Sequence, residues 1–157
     1  MATKDRIKSN MLIKDAPLCN NCPARIYQKA EAFMLYGKGN LLADVVFVLP
    51  IEAYKVKQID RYMEIVCEGI IDFDTEYVTY HPKCSASSPV EGYSGYCLHY
   101  LLYELNRIKP KKIIFCGVPI PEQLEGNYRV FRINSPLSIY FGSDKLDTIR
   151  EQLKKIL

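Results

Sequence analysis

The sequence has no uninterrupted apolar run approaching the roughly 18 residues that a membrane-spanning helix needs, so no transmembrane helix is expected. The opening stretch, MATKDRIKSNMLIKDAP, carries basic side chains but no continuous apolar segment. No secretory signal is therefore expected, and the chain is assigned to the cytoplasm. A strong charge of one sign is also missing. Lys and Arg total 21 against 18 Asp and Glu, for a net charge of +3. That surplus permits an anionic partner such as nucleic acid without demanding one, and plain solubility accounts for it equally well. Internal repeats and low-complexity tracts are absent, and histidine is scarce, with two in the chain.

What is present describes one globular domain. The length of 157 residues is too short for two comfortable domains, and 48% hydrophobic with 25% charged residues is an ordinary balance. There are six cysteines. In a reducing compartment these serve as metal ligands or buried apolar side chains rather than disulfides.

Residues 1–18 read as a polar lead-in with room for one short helix. From Cys19 the chain makes a knuckle-like turn and reaches a Gly-rich bend, YGKGN. The run ADVVFVLP (43–50) is apolar, β-branched and ended by proline, the pattern of a buried strand. Val56, Ile59, Tyr62, Met63, Val66 and Cys67 recur at helical spacing, with Gly69 as the stop. EYVTY (76–80) is a second strand. Leu98, Leu101, Leu102 and Leu105 share one face of a helix that ends at Pro110. KKIIFCGV (111–118) and NYRVFRI (127–133) are further strands. DKLDTIREQLKKIL closes the chain as an amphipathic helix, acidic at its start and basic at its end. Strands alternating with helices predict a three-layer α/β/α architecture around a central, mainly parallel four-stranded sheet. In such sheets ligands bind beyond the carboxyl ends of the strands. Four loops are singled out: LPIEAY, YHPKC, CGVPIPE and RINSPLS.

The pair Cys19 and Cys22 forms a Cys-x-x-Cys clip, because a tight turn lets two thiolates face one ion. Cys84 and Cys97 stand 13 residues apart, close enough for a loop to bring them together. Four thiolates suit tetrahedral zinc or an iron–sulfur cluster, and spacing alone does not choose between them. The plainer alternative makes Cys84 and Cys97 core residues and leaves only the first pair as ligands. Cys67, on the apolar face of a helix, and Cys116, at the end of a buried strand, read as core residues.

The order of parts resembles the iron–sulfur branch of the uracil-DNA glycosylase superfamily, the family 4 and 5 type. The parts are Cys19-x-x-Cys22, the Gly37-Lys38-Gly39-Asn40 turn before the first strand, Lys83-Cys84 after the second, and Cys97 opening a helix that runs into Lys109-Pro110-Lys111. The resemblance covers residues 19–157. It implies a single glycosylase-like domain with a [4Fe–4S] cluster held by Cys19, Cys22, Cys84 and Cys97, zinc being the alternative metal. It implies a structural cluster that pins loops near a DNA-facing surface.

The catalytic loops depart from that family. A glycosylase must flip a nucleotide into a snug pocket, stabilise the departing base and place a water. The family's first loop, Gly-Glu-Ala-Pro-Gly, is here Leu49-Pro50-Ile51-Glu52-Ala53. Its glycines are gone, and Glu52 stands two positions late. Glu52 is a catalytic candidate only if the loop is remodelled; the alternative is an exposed loop glutamate. The family's uracil-reading Asn is here Tyr80, whose phenol lacks the paired donor and acceptor of an amide. The neighbouring His81 is a base-edge or phosphate contact, or a residue that spaces the cluster loop. The ring expected under a flipped base has only Tyr54 near its place. In the last loop Ile133 and Asn134 replace His-Pro, which makes Asn134 the second catalytic candidate. Ser135, Pro136, Leu137 and Ser138 match the stretch that grips phosphates, with Leu137 as the candidate wedge into the duplex. Lys83 is a further candidate DNA contact, and Pro50, Tyr54, Tyr80 and His81 line the candidate pocket. Tyr77, Tyr80, Tyr93 and Tyr96 flank the cluster loop and offer stacking surface.

Three functions compete at this point. The leading expectation is a catalytically inactive, glycosylase-like iron–sulfur protein that acts as a DNA-associated accessory subunit in replication or repair, with a protein partner in that complex. The superfamily offers a precedent in the poxvirus glycosylase, which serves as a polymerase processivity component. The short length and changed loops suit a viral chain working in the host cytoplasm. The second is an active DNA glycosylase for uracil or another deaminated base. The third is a zinc-stabilised interaction module.

Overall fold

The computed structural model describes residues 6–8, 37–50, 53, 56–81 and 94–157; for 6–8, 94–97, 140–141, 143 and 144 only the backbone is described. Its order is β1 (Arg6–Lys8), β2 (Lys38–Asn40), β3 (Val45–Leu49), α1 (Ile59–Cys67), β4 (Tyr77–Tyr80), α2 (Ser94–Ile108), β5 (Lys112–Cys116), β6 (Val130–Ile133) and α3 (Ser143–Ile156). The chain is therefore α/β, as its alternating pattern predicts.

The sheet is mixed and six-stranded, in the order β1-β2-β4-β3-β5-β6. Its centre is the parallel set β4-β3-β5-β6, built from the four expected strands. The expected four-stranded sheet is extended by β1 and β2, which pair antiparallel with each other and with β4. Each has three residues and one carries a glycine, so neither shows a readable alternation. The lead-in, expected to be loop or helix, thus contributes a strand at residues 6–8.

The strand order explains where the helices lie. The chain passes from β3 to β4 in one direction along the sheet, then returns past β3 to β5 and on to β6. Right-handed crossovers in opposite directions place their helices on opposite faces. Accordingly α1 and α3 pack on one face, over Val45, Phe47, Leu49, Val78, Tyr80, Ile114, Cys116 and Ile133. Helix α2 packs on the other, over Val46, Val48, Ile113 and Phe115, through Leu98, Leu101, Leu105 and Ile108. Successive residues of one strand point to opposite faces, and both faces are covered, so β3 reads as an unbroken apolar run.

Helix α1 has nine residues, too few to persist alone in water. Burial of Ile59, Met63, Val66 and Cys67 holds it, each large side chain contributing about 1.5–3 kcal/mol. It has no side-chain N-cap and no basic residue in its last turn. Its carboxyl end is instead served by Arg150 of α3, whose guanidinium donates to the carbonyls of Ile65 (2.8 Å) and Val66 (3.1 Å). The expected stop, Gly69, follows with φ +74°.

The Gly-x-Gly-Asn segment has a structural explanation. Gly39 sits at φ +130°, and a Cβ there would lie 2.2 Å from the Glu76 carbonyl oxygen. Only glycine allows β2 to approach the start of β4 so closely. Asn40 then turns the chain. Its Oδ1 accepts from Leu42 N (2.8 Å), and its Nδ2 donates to Thr75 O (3.2 Å). The buried Glu76 accepts from Val45 N at 2.7 Å and so anchors the start of β3.

Candidate functional site at the carboxyl edge of the sheet

The direction of winding reverses between β3 and β5, so the crevice of this fold opens past their carboxyl ends. Pro50 and Ala53 follow β3, and Gly117 and Val118 follow β5. His81 continues β4, and residues 134–138 continue β6. Ala53 is buried, and its N–H donates to Pro50 O at 3.0 Å, folding the first loop back on itself. Pro50 is half-buried. Glu52, Tyr54, Lys83, Cys19, Cys22 and Cys84 lie outside the described residues, as does Tyr93.

Tyr80 is 8% exposed and belongs to the core shared with α1 and α3. Burial pushes its phenol up to about 12, and the Asp60 carboxylate adds to the shift. Asp60 lies in the first turn of α1 and forms an ion pair with Lys38 of β2. His81 is buried as well, and its N–H donates to Leu49 O at 3.2 Å, extending the β3–β4 ladder past Tyr80. A neutral phenol thus fills the carboxyl end of β4.

After β6 the chain makes a 3₁₀ turn, Pro136–Phe141, capped by Ser135. Ser135 Oγ accepts from Leu137 N at 3.2 Å, and its carbonyl accepts from Ser138 N (3.0 Å) and Ser138 Oγ (2.7 Å). The Ser138 proton is committed inside the turn, whereas the Ser135 hydroxyl keeps its own proton to donate. Pro136 is buried, and Leu137 packs half-buried against the α1/α3 core. Asn134 is exposed, and its backbone N–H donates to Gln152 Oε1 of α3 at 2.8 Å. Gly117 brings the end of β5 against this turn, since a Cβ there would stand 2.6 Å from Ser135 Cβ. The structure therefore brings Ser135 to the crevice beside Gly117.

The cysteines divide into two classes. Cys67 and Cys116 are 1% and 0% exposed. Burial pushes the Cys67 thiol up to about 12, helped by the Glu76 carboxylate and opposed by Arg150. Burial raises the Cys116 thiol also, with Cys67 adding to it. Both are protonated core residues, the state in which a thiol is a poor metal ligand. Cys97 stands in the first turn of α2, at the carboxyl edge. The chain leaves β4 at His81, three residues before Cys84. Among the described residues no group of three His, Cys, Asp or Glu is placed to hold a metal. The remaining donor set, four soft thiols, fits iron–sulfur or zinc chemistry.

At the opposite edge a groove of about 300 Å³ runs between α1 and the turn before β4. Glu64, Glu68, Asp72 and Asp74 line it against the single Arg61. That charge repels phosphate and other anions.

Glu104 is the site-region residue that composition and spacing did not single out. It lies on the core side of α2 and is fully buried. Tyr77 Oη donates to its Oε2 at 2.5 Å, and Thr79 Oγ1 lies 2.9 Å from Oε1 and 3.0 Å from Oε2. A carboxylate at the register of Leu101, Leu105 and Ile108 was the available signal, together with a threonine inside an apolar strand. No family model matches the chain, and no curated protein matches it.

Proposed function

We propose that this chain is a glycosylase-like iron–sulfur protein that no longer excises bases and acts as a DNA-associated accessory subunit in replication or repair. On this reading it has the three-layer fold of the uracil-DNA glycosylase superfamily, works with a protein partner in the cytoplasm, and is a viral chain in its host. Cys19, Cys22, Cys84 and Cys97 would hold a [4Fe–4S] cluster, which would supply cross-linking of distant loops.

The observation that carries the reading is Tyr80. Its buried phenol occupies the carboxyl end of β4 with no paired amide to offer a base. The loop after β3 adds to this, because Pro50 and Ile51 leave no carboxylate at the position that would orient water. Ser135 supports a retained phosphate contact, since its hydroxyl proton is free to donate at the crevice.

Oligonucleotides containing uracil, hypoxanthine or xanthine, incubated with the protein and then treated with alkali, test the reading. Strands are expected to stay intact, while duplex or single-stranded DNA is bound with an affinity that falls as salt rises. Alkali-labile sites formed at any of the three bases, at more than one turnover per chain, would show a working glycosylase instead.

A further inference from the structure

The net charge of +3 is spread unevenly over the molecule. Strands β5 and β6 run parallel with Ile113 beside Val130, so the residues just before them, Lys112 and Arg129, are neighbours at the amino edge of the sheet. Two helices end at the same place. Tyr128 Oη donates to Asn106 Oδ1 at 2.6 Å, which draws Arg107 in the last turn of α2 to the start of β6. Lys112 Nζ donates to Ile156 O at 2.8 Å, which brings Lys155 in the last turn of α3 to the start of β5. Arg107, Lys109, Lys111, Arg129 and Lys155 are all exposed. The acidic residues of the groove before β4, Glu64, Glu68, Asp72 and Asp74, stand three strands away from β6, roughly 14 Å.

Most of these cations have no counter-charge. Arg107, Lys109, Arg129 and Lys155 form no ion pair among the described residues. Lys111 pairs with Asp44 at 3.6 Å, an exposed contact of little net strength. Arg129 lies over the Phe131 ring, 5.9 Å from its centre, which steadies the guanidinium and leaves its donors to solvent. A helix dipole favours cations at each helix end, and charge on an edge strand such as β6 discourages strand addition. Each of these reasons acts on one element alone. The parallel topology adds them together at one edge, where the cations exceed the nearby carboxylates Asp44, Glu125 and Glu151.

A surface of this sign and make-up fits phosphate, which a guanidinium grips through paired donors. Tyr103 is 51% exposed and stands one turn before Arg107 on the same face of α2. Its ring is placed to stack on a base, for which a lipid headgroup has no counterpart. We infer that the amino edge, from Tyr103 and Arg107 on α2 across Arg129 and Lys111 to Lys155 on α3, binds the sugar–phosphate backbone of DNA without reading its sequence. This rests on the DNA-associated reading above and gives it a contact surface on the side away from the crevice.

The test titrates labelled single-stranded and duplex oligonucleotides with three proteins over a salt series. They are the wild type, a patch variant carrying Arg107→Gln, Arg129→Gln and Lys155→Gln, and a control of equal net charge carrying Lys57→Gln, Arg61→Gln and Lys145→Gln. All six side chains are exposed, so both variants keep the core intact, and the control positions lie at the starts of α1 and α3. The patch variant is expected to bind about tenfold to a hundredfold more weakly at about 0.1 M salt, with a salt slope shallower by about two to three. The control is expected to bind as the wild type does. Equal weakening of both variants would show that net charge alone sets binding, and undiminished binding by the patch variant would put the contact elsewhere. Either result overturns the inference and leaves DNA association standing. Vesicles of phosphatidylserine and phosphatidylcholine form the second arm: binding to them that depends on the patch, with none to DNA, would overturn the inference in favour of a membrane surface. A wild type that binds no DNA would overturn both the inference and the reading it rests on.

Discussion

Glu76 shows how one side chain couples the fold to pH. Burial raises its carboxyl above the ordinary value, the Asp44 and Asp72 carboxylates add to this, and hydrogen bonds from Val45 N and Thr75 oppose it. A carboxyl raised on folding favours the folded state while it is protonated. That contribution is lost as pH rises from the ordinary carboxylate range through the raised value. Glu76→Gln keeps an acceptor for Val45 N and removes the buried charge. Relative to wild type, the melting temperature of Glu76→Gln is expected to increase between pH 4 and pH 7, by a few degrees for about 1 kcal/mol. Thermal melts across that range check it, and a relative decrease would show that the charge itself stabilises the turn. At this scale the sequence was partly legible. Cys67 and Cys116 were read as core residues from their apolar neighbours, and both are buried. Glu76 and Glu104 were not, because a buried carboxylate is recognised by its partners, and Val45 and Tyr77 lie 31 and 27 residues from them in the chain.

At the scale of elements, Arg150 ties two helices that are distant in sequence. Its guanidinium meets the Ile65 and Val66 carbonyls at the end of α1, where the helix dipole is negative and no local cation is present. Arg150→Ala is expected to destabilise the protein by about 1–2 kcal/mol, since the charge-assisted bonds to the helix end are lost. Urea denaturation reads this as a lower midpoint with an unchanged slope, and an unchanged midpoint would show that the contact contributes nothing. The long elements were legible because continuous burial writes itself as apolar runs such as VVFVL and KIIFC. Their bounds shifted where side chains intervene: the strand expected from Ala43 begins at Val45, after the turn that Asn40 holds. The strands β1 and β2 escaped, since three residues each, with a glycine in β2, carry no period. What defines them is pairing with β4, a property of the folded chain rather than of the segment.

At the scale of the molecule, the winding reversal between β3 and β5 sends the crevice to one edge, and the acidic groove lies at the other. The α/β character was predictable from alternation alone, and so were the four parallel strands at whose carboxyl ends the crevice opens. The chemistry of the site was read only as a departure from a pattern, and of its candidates Pro50, Tyr80, His81, Asn134 and residues 135–138, with the backbone of Cys97, lie among the described residues. Tyr80 is a buried phenol that packs into the core at the carboxyl end of β4. Leu137 is tied to the same core, so its contribution to any DNA contact is coupled to stability.

The most direct measurement of the central claim is iron and acid-labile sulfide per chain in protein purified without oxygen. The account predicts about four of each, held by four thiolates, in a coloured protein. Folded, colourless chains with neither iron nor sulfide would contradict it.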